Sequence, residues 1–282
     1  MSIAGGFDQA IINGQSIHCT AIQIFTKSNR QWAARPIEPS QVEQFISAQK
    51  ASNIKTVVAH ASYLINLGSS NPETIEKSRQ ALAIELQRCD TLAIPYLVLH
   101  PGSGLGGNPQ DALKQIASLI DEIIEETKPK CMILLENMAG QGSALCSKFE
   151  QLAELRQLSR HKRSLGFCFD TCHAFAAGYD LRNENTYHAL WHEFDTTIGI
   201  EHLKIIHLND SKKELGACRD RHEDIGQGLI GLEGFALLMN DKKLFDVPKI
   251  LETPRDTLED YARNMQVLNS LLTKETKKLL GL

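Results

Sequence analysis

Six apolar runs in this chain each finish in a residue able to bind a cation or move a proton. They are Thr56-Val-Val-Ala-His60, Tyr96-Leu-Val-Leu-His100, Met132-Ile-Leu-Leu-Glu136, Leu165-Gly-Phe-Cys-Phe-Asp170, Ile205-Ile-His207 and Lys249-Ile-Leu-Glu252. A strand buried on both faces reads as a continuous apolar run, so a polar side chain at its last position needs a partner other than hydrocarbon. Three further residues extend the set. His173 follows Asp170 across a turn, so that the two can serve separate ions, and Asp220-Arg-His222 has the i,i+2 spacing that puts both side chains on one face of an extended segment. The nine candidates, His60, His100, Glu136, Asp170, His173, His207, Asp220, His222 and Glu252, include no cysteine. Imidazole and carboxylate without thiolate suit catalytic zinc, or manganese or iron, better than a closed structural zinc site. Nine ligands exceed one tetrahedral ion and suit three, each with an open position for water or substrate. His18, His161, His188, His192 and His202 lie off the strand ends and are read as surface or packing residues.

The endings are about 35 to 45 residues apart, close to the ~31 of one strand-plus-helix unit in a barrel of ~250 residues. This spacing predicts an α/β fold, a TIM (β/α)8-type barrel forming a single domain over 1–282, in which the strand ends meet at one mouth. Seven strands can be counted, the earliest being Cys19–Phe25 and the sixth Leu203–Asp210. Helices are expected from a loop after Gly5-Gly6, over Ser40–Ala51, from Asn71 as N-cap to Cys89, over Asp111–Thr127 and Phe149–Leu158, from about Glu233, and at the end of the chain. Phe175–Phe194 reads as an irregular aromatic-rich segment and Ser211–Gly231 as a polar loop. The loop Thr26–Pro36 carries Lys27, Arg30, Arg35 and Trp32, as a solvated segment or as a phosphate or stacking contact. The apolar loop Ala61–Gly68 either packs on the barrel rim or wedges into a ligand. Pro101-Gly-Ser-Gly, whose glycines would let backbone amides approach a phosphate, is weak as a motif.

With 282 residues, 42% of them hydrophobic, the chain can bury a large core. Its apolar runs are too short to span a membrane, and the N-terminus has no signal-peptide pattern. Seven cysteines without paired CxxC spacing point to reduced thiols and an intracellular, cytoplasmic protein. A formal net charge of −4 speaks against a polyanionic partner. Three divalent ions would bring it to about +2, concentrated at the strand ends, which removes the objection.

The motifs resemble those of the endonuclease IV family of AP endonucleases, over nearly the whole chain. The matching stretches are His60-Ala-Ser-Tyr-Leu-Ile-Asn-Leu-Gly68, Leu99-His-Pro-Gly-Ser103, Leu135-Glu-Asn137 with Ala139-Gly-Gln-Gly142, and Phe169-Asp-Thr-Cys-His-Ala-Phe-Ala-Ala-Gly-Tyr-Asp180. His207-Leu-Asn-Asp210, Asp220-Arg-His222, Gly226-Gln-Gly228 and Leu251-Glu-Thr253 complete them. The resemblance implies a barrel of the xylose isomerase-like kind and three zinc ions, with Mn2+ or Fe2+ possible at some positions. It implies that Glu136 bridges an ion held by His60 and His100 to one held by Asp170, His207 and Glu252, while the third takes His173, Asp220 and His222. Arg30, Tyr63 and Leu64 match loop residues that enter kinked DNA and help expel the abasic nucleotide. The implied reaction is hydrolysis of the phosphodiester 5′ to an abasic site in double-stranded DNA, giving a 3′-hydroxyl and a 5′-deoxyribose phosphate in base excision repair, with water rather than a side chain as nucleophile. A monomer without membrane attachment is expected. In the family a strand ending in His-Val-Ser precedes the match to Ser2-Ile-Ala-Gly-Gly6, so the first barrel strand is expected to be missing, either through a late start or in a true seven-stranded barrel. The alternatives are a metal-dependent sugar isomerase or epimerase on the same barrel, and an inactive DNA-lesion binder.

Overall fold

The computed structural model describes residues 1–104, 107–254 and 257–281. The chain divides into two compact units, one of residues 1–137 with 143–168, the other of residues 138–142 with 169–282. In the first, helices and strands alternate: α1 (Phe7–Ser16), β1 (Ala21–Ile24), α2 (Pro39–Lys50), β2 (Thr56–His60), α3 (Pro72–Thr91), β3 (Tyr96–Leu99), α4 (Pro109–Thr127), β4 (Met132–Glu136), α5 (Phe149–Leu158) and the start of β5 (Leu165–Asp170). These strands pair in parallel in chain order, β1 to β2, β2 to β3, β3 to β4 and β4 to β5.

Consecutive residues Val57-Val58-Ala59, Leu97-Val98-Leu99 and Ile133-Leu134-Leu135 are all buried, the pattern of strands covered on both faces. Helix starts follow local chemistry. The Asn71 side chain accepts hydrogen bonds from the backbone N–H groups of Glu73 and Thr74, and Asn108 accepts from Gln110 N, each with proline in the first turn.

The second unit contains α6 (Thr171–Ala176), α7 (Glu184–Thr197), β6 (Leu203–Leu208), β7 (Asp210–Ser211), β8 (His222–Glu223), α8 (Gly231–Asn240), β9 (Lys249–Leu251), α9 (Leu258–Ser270) and α10 (Lys274–Leu280). Here β6 pairs with β9 in parallel and β7 with β8 in antiparallel fashion. The seven strands counted in the sequence are β1 to β6 and β9.

Three expectations are corrected. The segment Phe175–Phe194 is mostly helical, because Asn183 caps α7 through Thr186 N and Tyr187, Leu190, Trp191 and Phe194 form one buried stripe at helical spacing. The aromatic content masked that period. The polar loop Ser211–Gly231 contains the β7–β8 hairpin, in which Ser211 pairs with His222. The C-terminal end is two helices rather than one, α10 starting at the Thr273 cap. Among the described residues no helix is long and apolar enough to cross a membrane. Six of the seven cysteines are buried and Cys218 is exposed.

Candidate metal centres

In the first unit three strand ends supply one donor set. His60 is the last residue of β2, His100 follows β3 and Glu136 ends β4. Parallel register sets His60 opposite Val98, so the adjacent strands deliver their last side chains at neighbouring levels. His60 Nε2 lies 3.3 Å and His100 Nε2 3.2 Å from Glu136 Oε2. With Nδ1–H donating to Ala61 O at 2.7 Å, the His60 ring turns the lone pair of Nε2 toward the carboxylate. Glu136 is fully buried, and a buried carboxylate beside two imidazole nitrogens is a place for positive charge.

Tyr63 stands at the edge of this set. Its ring centroid lies 5.1 Å from that of His60, 5.3 Å from His100 and 5.5 Å from Phe25, yet 53% of the residue is exposed. Leu64 is half-buried and Arg30 exposed. In the loop read from the sequence as either a solvated segment or a phosphate or stacking contact, Lys27 is buried and Trp32 half-buried. Gly102 serves an internal contact: at φ +118, a side chain there would lie 2.6 Å from Asn66 Oδ1, which accepts from Ser103 N and Gly68 N.

In the second unit, Asp170 ends β5 and caps α6, its Oδ1 accepting from His173 N at 2.7 Å. That cap fixes the turn carrying His173. His207 lies in β6 and Glu252 follows β9, the register placing His207 beside Ile250. His207 Nδ1 is 3.1 Å from Glu252 Oε2 and 3.9 Å from Asp170 Oδ2. A further set joins His173 Nε2, 3.2 Å from Asp220 Oδ2, to His222 Nε2, 3.1 Å from Asp220 Oδ1. His222 Nδ1–H donates to Glu252 O at 2.8 Å, the same arrangement that fixes His60.

Two observations bear on whether these donors fit cations. His222 Nε2 is buried without a hydrogen-bond partner although Asp220 Oδ1 is near, which is geometry for lone pairs converging on an ion. Burial raises the Asp220 pKa, but hydrogen bonds and charge from His173 and His222 outweigh it and hold the carboxyl well below the usual range. For His222, burial lowers the pKa, yet the Asp170 and Asp220 carboxylates leave it raised to about 9. The cluster thus retains positive charge, and a divalent ion fits where protons sit. Cys172 comes near Asp170 and His222, but burial, then the Asp170 charge, push its thiol up to about 12. It stays protonated, in keeping with a donor set of nitrogen and oxygen.

Two neighbours of His207 had no role assigned from sequence. Asn209 Nδ2 donates to Asp170 Oδ2 at 2.6 Å and Asn209 Oδ1 accepts from Glu252 N at 3.0 Å, so one buried amide orients both residues. Asp210 accepts from the N–H groups of Ser211, Gly226, Gly228 and Ile230 at 2.8–3.0 Å and from Gly231 at 3.4 Å. Gly228 is required there, since a Cβ would sit 2.5 Å from Asp210 Oδ1. The signal for both was their place in the stretch His207-Leu-Asn-Asp210, polar residues at a buried strand end.

Residues 14–271 match the family model described as a xylose isomerase-like TIM barrel, a match that takes in both units. The chain is similar to a probable endonuclease 4 of Chloroflexus aurantiacus, 46% identical over 275 residues covering 96% of each chain. A probable endonuclease 4 of Geobacter sulfurreducens is 39% identical over 280 residues, covering 99% of this chain and 95% of that one. The crystal structure of endonuclease IV from Thermus thermophilus superposes with a TM-score of 0.86 at 37% identity over 96% of each chain. A D-psicose 3-epimerase from Clostridium cellulolyticum gives 0.61 at 11% identity, over 98% of this chain and 90% of that one, and so shares the fold alone. The chain belongs to the endonuclease IV family, built on a xylose isomerase-like TIM barrel.

Proposed function

We propose that this protein hydrolyses the phosphodiester 5′ to abasic sites in double-stranded DNA, leaving a 3′-hydroxyl and a 5′-deoxyribose phosphate, as a base excision repair enzyme. The observation that carries the reading is the gathering of imidazole and carboxylate donors at successive strand ends in a chain of this family. The whole of 1–282 acts as one catalytic domain, a reading supported by the single family model matched over 14–271, and it works as a cytoplasmic monomer.

His60, His100 and Glu136 would hold one zinc ion, Asp170, His207 and Glu252 a second, and His173, Asp220 and His222 a third, with manganese or iron possible at some positions. Such ions lower the pKa of water toward ~7 and offset charge on a phosphodiester. The side chains supply the order. His60 and His222 are locked as Nδ1–H tautomers by backbone carbonyls, so each presents a lone pair inward. Glu136 would help hold the first ion and orient the attacking water beside it. Burial of that carboxylate keeps bulk water from competing for it. Exposed Arg30 would meet a phosphate, while Tyr63 and Leu64 would fill the gap from which the abasic nucleotide is expelled. Expulsion is cheap there because no base pair has to open.

The test is an incision assay on a duplex with one abasic site, with the metal content of the purified protein measured in parallel. Strand cleavage 5′ to the site, lost on chelation and absent on intact duplex, is expected. Bound metal without incision would fit a lesion binder and overturn the reading.

A further inference from the structure

Helix α3 carries a buried carboxylate, Glu85, outside every donor set above; only 1% of the residue is exposed. Its Oε2 accepts from Thr26 Oγ1 at 2.8 Å, in the loop after β1. Its Oε1 accepts from Ser62 N at 3.3 Å, in the loop after β2, and lies 3.6 Å from the buried ammonium of Lys27. One carboxylate therefore grips two loops that are 36 residues apart between Thr26 and Ser62. Those loops carry Arg30 in one case and Tyr63 with Leu64 in the other.

The surrounding bonds extend the grip. Lys27 Nζ donates to Gln31 O at 2.7 Å, one residue beyond Arg30, and Ser62 Oγ donates to Asn29 O at 2.8 Å, tying the loops directly. Ser62 Oγ also accepts from Leu64 N at 3.3 Å. One helical turn along α3, Arg88 donates to the backbone oxygen of Thr26 and to Arg35 O at 2.6 Å, closing the far end of the first loop. A solvated loop needs no such anchor. A buried charge is retained only when paired and hydrogen-bonded, and among the described residues Thr26, Lys27 and Ser62 of these two loops supply that pairing.

We propose that Glu85 is a positioning residue for substrate: with Lys27 and Arg88 it fixes the loop bearing Arg30 against the loop bearing Tyr63 and Leu64, so that both meet an abasic duplex already in place. This rests on the DNA-contact role given to those three residues above. Pre-ordering removes the cost of arranging two loops on binding, so its loss appears in substrate capture rather than in the chemical step.

The experiment compares wild type with E85Q and with T26V, a near-isosteric change that removes only the hydroxyl. Steady-state incision of an abasic duplex, metal content, and hydrogen exchange of residues 26–35 and 61–67 are measured on the full chain. Expected is a KM raised about tenfold in E85Q and less in T26V, with kcat and metal content near wild type, and faster exchange in both loops. A KM unchanged in both variants, or a fall in kcat that tracks metal loss, overturns the proposal. If wild type does not incise, the function proposed above has failed, and the inference with it as regards DNA. Unchanged exchange in E85Q would sink the loop coupling by itself, whatever the substrate.

Discussion

The cluster of His60, His100 and Glu136 and that of His173, Asp220 and His222 offer the same donors, two imidazoles and a carboxylate, but differ in what holds them. The first stands on three adjacent strands whose backbone ladder fixes it, and its carboxylate is sealed from solvent. The second stands on a short helix and a two-residue hairpin, and 41% of the Asp220 side chain is exposed. A strand-end ligand inherits its position from secondary structure. The hairpin ligands depend on Asp210, whose carboxylate gathers five backbone N–H groups of the segment. Precision at the first set is therefore a property of the sheet, and at the second a property of one buried anion.

The comparison breaks first at Glu136. Replacing it by Gln removes the sealed charge, and incision should fall by about three or more orders of magnitude, ~4 kcal/mol of transition-state stabilisation. Circular dichroism should show the fold retained, because the ladders do not depend on that charge. Near wild-type nicking by E136Q would show that the sealed carboxylate is not the working one.

Asp210→Asn tests the other side. The amide turns one acceptor into a donor facing N–H groups, which should cost ~2–3 kcal/mol of stability, seen as a lower melting temperature. Metal content should drop at the hairpin cluster while the His60 set keeps its ion. Dialysis of wild type against a chelator should likewise empty the partly exposed cluster before the sealed one. Uniform loss from all positions would erase the distinction between ladder-held and anion-held ligands.

A smaller effect is expected from Tyr63, which borders the sealed cluster without serving as a donor, and from its neighbour Leu64. Changing both to Ala should reduce the preference for abasic over intact duplex by roughly tenfold at fixed salt, with metal content unchanged. An unaltered preference would mean that these side chains only pack on the strand ends.

What could be read from residues alone follows from range. A parallel strand covered on both faces must be continuously apolar, so a terminal His, Asp or Glu stands out within five or six residues. Six of the nine donor candidates were visible in this way, while His173, Asp220 and His222 stood out by their spacing instead. Helix starts were equally local, as at Asn71, because a cap bonds to the next two or three amides. Tyr187, Leu190, Trp191 and Phe194 were legible too, had their spacing been weighed above their aromatic character.

Tertiary structure alone decided the rest. Asn209 looks like any polar residue until Asp170 and Glu252, 39 and 43 positions away, converge on its amide. Lys27 reads equally as a solvated cation or a phosphate contact until the fold pairs it, buried, with Glu85. The β7–β8 hairpin has no alternating apolar pattern because its order comes from a carboxylate that accepts from amides up to 21 residues distant. Hydrophobic periodicity is written locally along a chain. Hydrogen bonds between distant polar groups acquire their meaning only when folding removes water from both ends.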